Sequence, residues 1–153
     1  MMCSYFADPC SSTGEIELHP QRHSVYLTSP DYPDRYPYNL DCTWYFSSSN
    51  STAGSFIVRV LDLYTPSRDI VTMGTGDNST REEVFLMSRK YFPNSVSFEG
   101  DVMWIRFVSD GRSSYRGFLL TVERRESPGT YQKFFPRRKN NCSVHEPNNY
   151  IQF

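Results

Sequence analysis

The part of the sequence that most constrains the fold is a proline-rich stretch from Ser29 to Trp44, which reads SPDYPDRYPYNLDCTW. Pro30, Pro33 and Pro37 each fix φ and remove a backbone donor, so neither a regular helix nor an inner β-strand can pass through them. Asp31, Asp34 and Asn39 supply side chains that accept the hydrogen bonds of tight turns. The stretch is therefore predicted to be a stiff loop.

The prolines are followed by a segment with the periodicity of a β-strand. Cys42, Trp44 and Phe46 alternate with Thr43 and Tyr45, and a period of two is typical of a strand with one buried face. The loop is thus expected to deliver a cysteine and a tryptophan to a hydrophobic core. Composition by itself is equally compatible with an ordinary surface loop that precedes a strand.

Length and charge exclude several classes of protein. The 153 residues are enough for one domain with extensions. Sixteen basic and seventeen acidic residues give a net charge of -1, which creates no field that attracts nucleic acid or an anionic membrane. No run of eighteen apolar residues occurs, so the sequence contains no membrane span.

The cysteines indicate an oxidising compartment. There are four, none belongs to a CxxC pair, and no cysteine–histidine cluster has zinc spacing, so disulfides are favoured. They are Cys3, Cys10, Cys42 and Cys142. Three tripeptides have the form of glycosylation acceptors, at Asn50, Asn78 and Asn141. No apolar segment follows Met1, so no signal peptide is visible, and we expect a piece of a longer secreted or membrane-anchored precursor.

Short apolar runs separated by turns predict an all-β sandwich. The predicted strands besides the one after the proline loop are Glu15–Leu18, Ser24–Thr28, Phe56–Leu63, Asp69–Met73, Glu82–Lys90, Val96–Phe98, Asp101–Val108 and Phe118–Glu123. The segment from Glu82 also fits a helical turn, but few capping signals flank it, which favours a strand. After Glu123 the sequence becomes polar and basic, as in a linker.

Catalysis is not expected from this sequence. It contains no GxSxG, HExxH or P-loop motif. His19, His23 and His145 are the only histidines, and all three lie outside the predicted strands. A binding module is therefore favoured over an enzyme.

Two motifs carry a family resemblance. The first comprises Leu27-Thr28-Ser29-Pro30-Asp31-Tyr32-Pro33, Tyr36-Pro37, Asn39 and Cys42-Thr43-Trp44, and the second comprises Phe107-Val108-Ser109-Asp110 and Gly117-Phe118. Together they resemble the opening and closing motifs of the CUB domain family of extracellular modules. The resemblance implies a CUB-like β-sandwich of two antiparallel sheets, of jelly-roll type, over residues 10–124. Residues 1–9 are then an N-terminal extension, and 125–153 a C-terminal linker with Cys142.

The resemblance also implies a role. The chain is expected to be a non-catalytic protein–protein interaction module of a larger extracellular protein, with another extracellular protein or a receptor ectodomain as its partner. Two alternatives remain open, a secreted glycan-binding protein similar to spermadhesins and an accessory segment of a secreted protease.

Disulfide pairing follows from the same resemblance. The first cysteine pair of the family matches Cys10 and Cys42, whereas Ser67 occupies a position of the second pair. Cys3 and Cys142 are left, and we expect them to bond each other. The alternative is that each pairs with a neighbouring domain.

Recognition residues concentrate on loops at the ends of such sandwiches. The loops expected to bind are Pro30–Leu40, Thr65–Arg68 and Ser109–Arg116, because they are rich in tyrosine and arginine, the residue types of binding hot spots. The candidate contact residues are Tyr32, Arg35, Tyr36, Tyr38, Tyr64, Arg68, Arg112 and Tyr115. Several of the tyrosines are expected to pack against the edge of the sandwich instead.

Many CUB domains bind calcium through a tyrosine, a glutamate and two aspartates. Asp69 and Asp110 match the two aspartates, but the position expected for the glutamate lies in Leu63-Tyr64-Thr65. Arg112 stands where the family often has a serine. Since calcium takes six to eight oxygens, no metal cofactor is favoured, and Asp69 and Asp110 are the remaining candidates for calcium.

Overall fold

The structure is a computed structural model that describes residues 10, 14–18, 23–48, 54–76, 82–87 and 92–126. These residues form nine β-strands and no helix. The strands are β1 (Gly14–Leu18), β2 (Ser24–Thr28), β3 (Asp41–Ser48), β4 (Gly54–Tyr64), β5 (Ile70–Thr75), β6 (Glu82–Met87), β7 (Ser95–Glu99), β8 (Val102–Val108) and β9 (Gly117–Glu126). The prediction of an all-β fold is confirmed, and so is the strand interpretation of the segment from Glu82.

The strands form two sheets. One has five strands in the order β1-β3-β8-β5-β6, and the other has four in the order β2-β9-β4-β7. All pairings are antiparallel except that of β1 with β3, which is parallel. The predicted sandwich of two antiparallel sheets is confirmed, with this parallel pair as an exception. Its cause is that β2 lies in the opposite sheet, so the chain crosses the sandwich twice before β3 joins β1.

The core lies between the sheets and is rich in aromatic rings. Trp44 of β3 contacts Phe118 of β9 edge to face, with ring centroids 6.1 Å apart. Phe107 of β8 meets the same ring at 5.3 Å. All three side chains are buried, and burying one such ring contributes about 3 kcal/mol. The tryptophan that follows the proline loop therefore reaches the centre of the core, as the alternation predicts.

The predicted bond between Cys10 and Cys42 is present, with Cα atoms 4.9 Å apart. It ties the segment before β1 to the first buried position of β3. Cys3 and Cys142 lie outside the described residues, and so do the acceptors Asn50, Asn78 and Asn141. Strand β9 continues to Glu126, so its last two residues belong to the segment expected to begin the linker at 125. No helix within the described ranges is long and apolar enough to cross a membrane.

Candidate functional site

Three loops meet at one end of the sandwich. They are the β2–β3 loop (29–40), the β4–β5 loop (65–69) and the β8–β9 loop (109–116). The register explains their proximity, because Val108 at the end of β8 lies opposite both the start of β3 and the start of β5. Tyr64 at the end of β4 lies opposite Gly117. The sheet pairing therefore gathers the three loops that the sequence analysis selected.

Ser109 and Asn39 fasten the β2–β3 loop to the β8–β9 loop. The Ser109 hydroxyl accepts a hydrogen bond from the Leu40 backbone N–H at 2.9 Å and donates one to the Pro37 carbonyl at 3.1 Å. The N–H of Asn39 donates to the Asp110 carbonyl at 3.2 Å. Asn39 has φ 57°, a left-handed conformation that asparagine tolerates better than most residues. These bonds satisfy the loop backbone and hold it in one arrangement.

Beneath these loops lies a buried tyrosine–aspartate pair. The hydroxyl of Tyr36 donates to Oδ2 of Asp69 at 2.6 Å, and Oδ1 of Asp69 accepts from the Asp110 N–H at 2.8 Å. Both side chains are almost fully buried. Burial, followed by the hydrogen bond to the Asp69 carboxylate, raises the pKa of Tyr36 far above its usual value. Asp69 thus joins all three loops through one carboxylate.

This pair corrects one of the predicted contact residues. Tyr36 was expected on the binding surface, but it is 1% exposed. Its ring packs edge to face on Phe107, with centroids 5.1 Å apart. Tyr36 is therefore a core residue that supports the loops and is unavailable to a partner.

Nearer the surface, five side chains form what we call the tyrosine–arginine cluster: Tyr32, Asp62, Tyr64, Tyr115 and Arg116. The guanidinium of Arg116 donates two hydrogen bonds to the carboxylate of Asp62, from Nε to Oδ2 at 2.6 Å and from Nη2 to Oδ1 at 2.8 Å. The hydroxyl of Tyr32 donates to the same carboxylate at 3.0 Å. Arg116 also lies 4.7 Å above the ring of Tyr64, which meets Tyr115 edge to face at 5.1 Å.

The electrostatics of the cluster keep it intact at neutral pH. The hydrogen bonds from Arg116 lower the pKa of Asp62 below its ordinary value. Partial burial and the bond to Asp62 raise the pKa of Tyr32. A carboxylate with a lowered pKa stabilises the fold above its unfolded-state pKa, and this contribution is lost as pH falls through the folded-state value. Ionised Asp62 and neutral Tyr32 are therefore the forms present at pH 7.

A β-bulge in β4 creates the cluster. The pairing of β4 with β9 shifts between Val60 and Asp62, which leaves Leu61 exposed and turns Leu63 into the core. Strict alternation from Phe56 would have pointed Asp62 inward. The extra residue re-aims Asp62 and Tyr64 toward the loops, a common use of bulges.

The structure brings together some predicted contact residues and separates others. Tyr32, Tyr64 and Tyr115 lie in the cluster, whereas Arg68 and Arg112 line a pocket between the β4–β5 and β8–β9 loops. Arg35 and Tyr38 are exposed on the β2–β3 loop, outside both groups. Sequence reasoning missed Asp62 and Arg116. One feature of the sequence did point to Arg116. It is the last residue of the Ser109–Arg116 loop, which was expected to bind, and it directly precedes Gly117 of the closing motif.

The residues present do not fit a calcium site well. Both oxygens of Asp69 already accept hydrogen bonds, and Oδ1 of Asp110 accepts one from the Arg112 N–H at 2.9 Å. In the segment where a third carboxylate was expected, the ring of Tyr64 lies under a guanidinium. Within the part of the chain that the structure describes, no three histidine, cysteine, aspartate or glutamate side chains are grouped to hold a metal. Calcium takes six to eight oxygens, whereas three of the four carboxylate oxygens of Asp69 and Asp110 already accept hydrogen bonds.

Comparison with known proteins identifies the fold. A family model for the CUB domain matches residues 15–122. The chain belongs to the CUB domain family. Human cubilin is 41% identical over 99 residues, which cover 62% of this chain and 3% of cubilin. A bone morphogenetic protein 1 homolog of Strongylocentrotus purpuratus is 31% identical over 103 residues, or 65% of this chain and 16% of that protein.

A solved CUB domain has the same architecture. The crystal structure of the MASP-1 CUB2 domain bound to Ca2+ matches with a TM-score of 0.57 at 18% identity, covering 73% of this chain and 98% of that one. At this identity the match concerns the fold alone. The CUB domain described here is extracellular or lies in the secretory lumen, where the bond between Cys10 and Cys42 persists.

Proposed function

We propose that this CUB domain is a non-catalytic protein–protein interaction module of a larger extracellular protein, and that it binds through its loop end. The observation that supports this most is the tyrosine–arginine cluster. Tyrosine and arginine dominate the binding energy of protein interfaces. Here Arg116 is already held by Asp62 and Tyr64, so little side-chain freedom is lost when a partner binds.

A non-catalytic role agrees with the chemistry of the loop end. Its buried carboxylate, Asp69, is saturated by Tyr36 and Asp110. The half-buried carboxylate of Asp62 is neutralised by Arg116. His23 directly precedes β2, and the register of that strand places it at the other end of the sandwich. The partner is then another extracellular protein or a receptor ectodomain, and the two alternatives are a glycan ligand and a protease for which the domain is an accessory.

The interaction surface is tested by replacing Arg116 with glutamine. This removes the bidentate bond to Asp62 and the contact with Tyr64, so we expect about tenfold weaker binding of a partner captured by the wild-type domain. Immobilised domain is exposed to detergent-solubilised cell-surface proteins, and each captured protein is quantified by mass spectrometry and then titrated. Tyr32→Phe, which removes one hydroxyl bond to Asp62, should have a smaller effect.

Arg125→Gln is the matched control, because Arg125 is an exposed arginine at the far end of β9 that pairs with Glu123. It should leave binding unchanged. If Arg125→Gln and Arg116→Gln weaken binding equally while both variants melt like the wild type, the loop end is not the interaction surface. Release of the captured protein by free oligosaccharides would favour the glycan-binding alternative.

We further propose that the fold does not depend on calcium. The observation in support is that Tyr64, in the segment where a third carboxylate was expected, lies under the guanidinium of Arg116. The melting temperature should therefore change by less than about one degree between millimolar calcium and chelator. A ligand present at a hundred times its Kd stabilises by about 2.7 kcal/mol, so a tight calcium site would raise the melting temperature by several degrees and refute the proposal.

A further inference from the structure

A pocket opens between the β4–β5 and β8–β9 loops, on the side of Asp110. Its volume is about 280 Å³. Its lining residues are Pro66, Ser67, Arg68, Asp110, Arg112 and Ser113. The pocket shares the β8–β9 loop with the tyrosine–arginine cluster, so a partner that contacts the cluster can also reach it.

The exposed lining of this pocket carries an excess of positive charge. Arg68 and Arg112 are both exposed, and neither forms an ion pair with any described carboxylate. The five ion pairs among the described residues use other arginines. Asp110 is the only carboxylate of the lining, and its Oδ1 already accepts the Arg112 N–H. Asp69, the neighbour of Arg68 in the chain, is buried, and both of its carboxylate oxygens already accept hydrogen bonds.

We propose that this pocket binds a carboxylate of a partner protein, supplied by an aspartate or glutamate side chain. This inference rests on the proposed interaction function and adds the chemistry of one contact. A guanidinium and a carboxylate form paired, charge-assisted hydrogen bonds. Ser67 and Ser113 contribute hydroxyl groups, which can donate hydrogen bonds, to the same lining.

An acidic protein segment fits this site better than a sulfated glycan. Sulfated polysaccharides bind clusters of five or more lysines and arginines, whereas the pocket has two arginines in a chain of net charge -1. A metal cation is disfavoured because the lining contains two arginines and one carboxylate. The pocket is thus built for one anionic group.

The probes are a capped hexaglutamate peptide, its hexaglutamine counterpart and a heparin hexasaccharide, each titrated into the intact chain. Binding is followed by the arginine Nε–H signals in NMR spectra. Hexaglutamate is expected to shift the signals of Arg68 and Arg112, and hexaglutamine to shift neither. Arg68→Gln and Arg112→Gln should each weaken hexaglutamate binding about tenfold. Arg125→Gln removes the same charge from the far end of β9 and should change binding less than about twofold.

The inference would be overturned by no binding of hexaglutamate, by equal losses in all three variants, or by tighter binding of the hexasaccharide with a loss in Arg125→Gln. A shift of the Asp110 amide by millimolar calcium would also overturn it, because it would assign the pocket to a cation. The melting temperature of each variant verifies that it is folded. If hexaglutamate does not bind but capture of a protein partner still requires Arg116, the pocket inference fails and the proposed function stands.

Discussion

Replacing Gly117 with alanine is expected to destabilise the domain by about 2–5 kcal/mol, through strain and overpacking together. Gly117 has φ 82°, a conformation that costs an L-residue with a Cβ about 1–2 kcal/mol. An added Cβ would lie 1.8 Å from Oγ and 2.6 Å from Cβ of Ser29. Urea denaturation of the two proteins measures the difference in the free energy of unfolding.

The close approach at Gly117 is required by the hydrogen bonds of Ser29. The Ser29 hydroxyl donates to the Arg116 carbonyl at 3.3 Å and accepts from the Phe118 N–H at 3.1 Å. It therefore bonds the residues on both sides of the glycine, and a side chain at position 117 would push it away. Since Arg116 precedes this point, the same substitution should also weaken the tyrosine–arginine cluster.

Alanine substitutions at two other glycines distinguish the cost of backbone strain from the cost of a steric clash. Gly100 has φ 125° and no atom within 4 Å of an added Cβ, so Gly100→Ala should cost only the strain of about 1–2 kcal/mol. Gly111 has no positive φ, and its nearest contact is the Asn39 side chain at 3.1 Å. Gly111→Ala should therefore be nearly neutral. If Gly117→Ala is no more destabilising than Gly100→Ala, the packing argument at Ser29 is wrong.

The strands were predictable because each carries its own periodicity. The alternation of Cys42, Trp44 and Phe46 predicts which face is buried, and the structure confirms it. The opening prolines predict where that strand cannot begin. These signals are local, so they survive without any knowledge of the tertiary structure.

The features that sequence could not predict depend on contacts between distant segments. Tyr36 looks like an exposed loop tyrosine until its partner Asp69, in another loop, is known. Trp104 lies on the face of β8 opposite Ile105, yet it is also buried. It has room because Gly74 lies across from it, and its indole N–H donates to the Thr75 carbonyl.

The tyrosine–arginine cluster was missed for a different reason. Strict alternation along β4 would place Asp62 on the core face and Leu63 on the outer face. The bulge after Val60 exchanges these two positions. A strand sequence carries no clear mark of a single-residue bulge. One indirect signal was the aspartate itself, since a charged side chain on a core face without a partner is unfavourable.

Replacing Asp69 with alanine is expected to destabilise the domain by about 3–4 kcal/mol. The substitution leaves the Tyr36 hydroxyl and the Asp110 N–H without the acceptors they have at 2.6 and 2.8 Å. Each buried polar group without a partner costs about 1–3 kcal/mol. Asp69→Asn should cost less, about 1–2 kcal/mol, because the amide oxygen can still accept from Asp110 and its NH₂ can donate to the Tyr36 oxygen.

The effect of Asp69 should also extend beyond stability, because its carboxylate is where the three loops meet. Tyr36→Phe removes one of its bonds, and the double variant Tyr36→Phe/Asp69→Ala should cost less than the sum of the two single changes. In NMR spectra, Asp69→Ala should move the backbone signals of both Arg68 and Arg112, whereas the exposed change Asp41→Asn should not. Additive stability losses, or unmoved signals at Arg112, would mean that the loops are held by the Ser109 bonds and not by Asp69. The carboxylate that resembles a metal ligand in sequence would then have no part in shaping the binding surface.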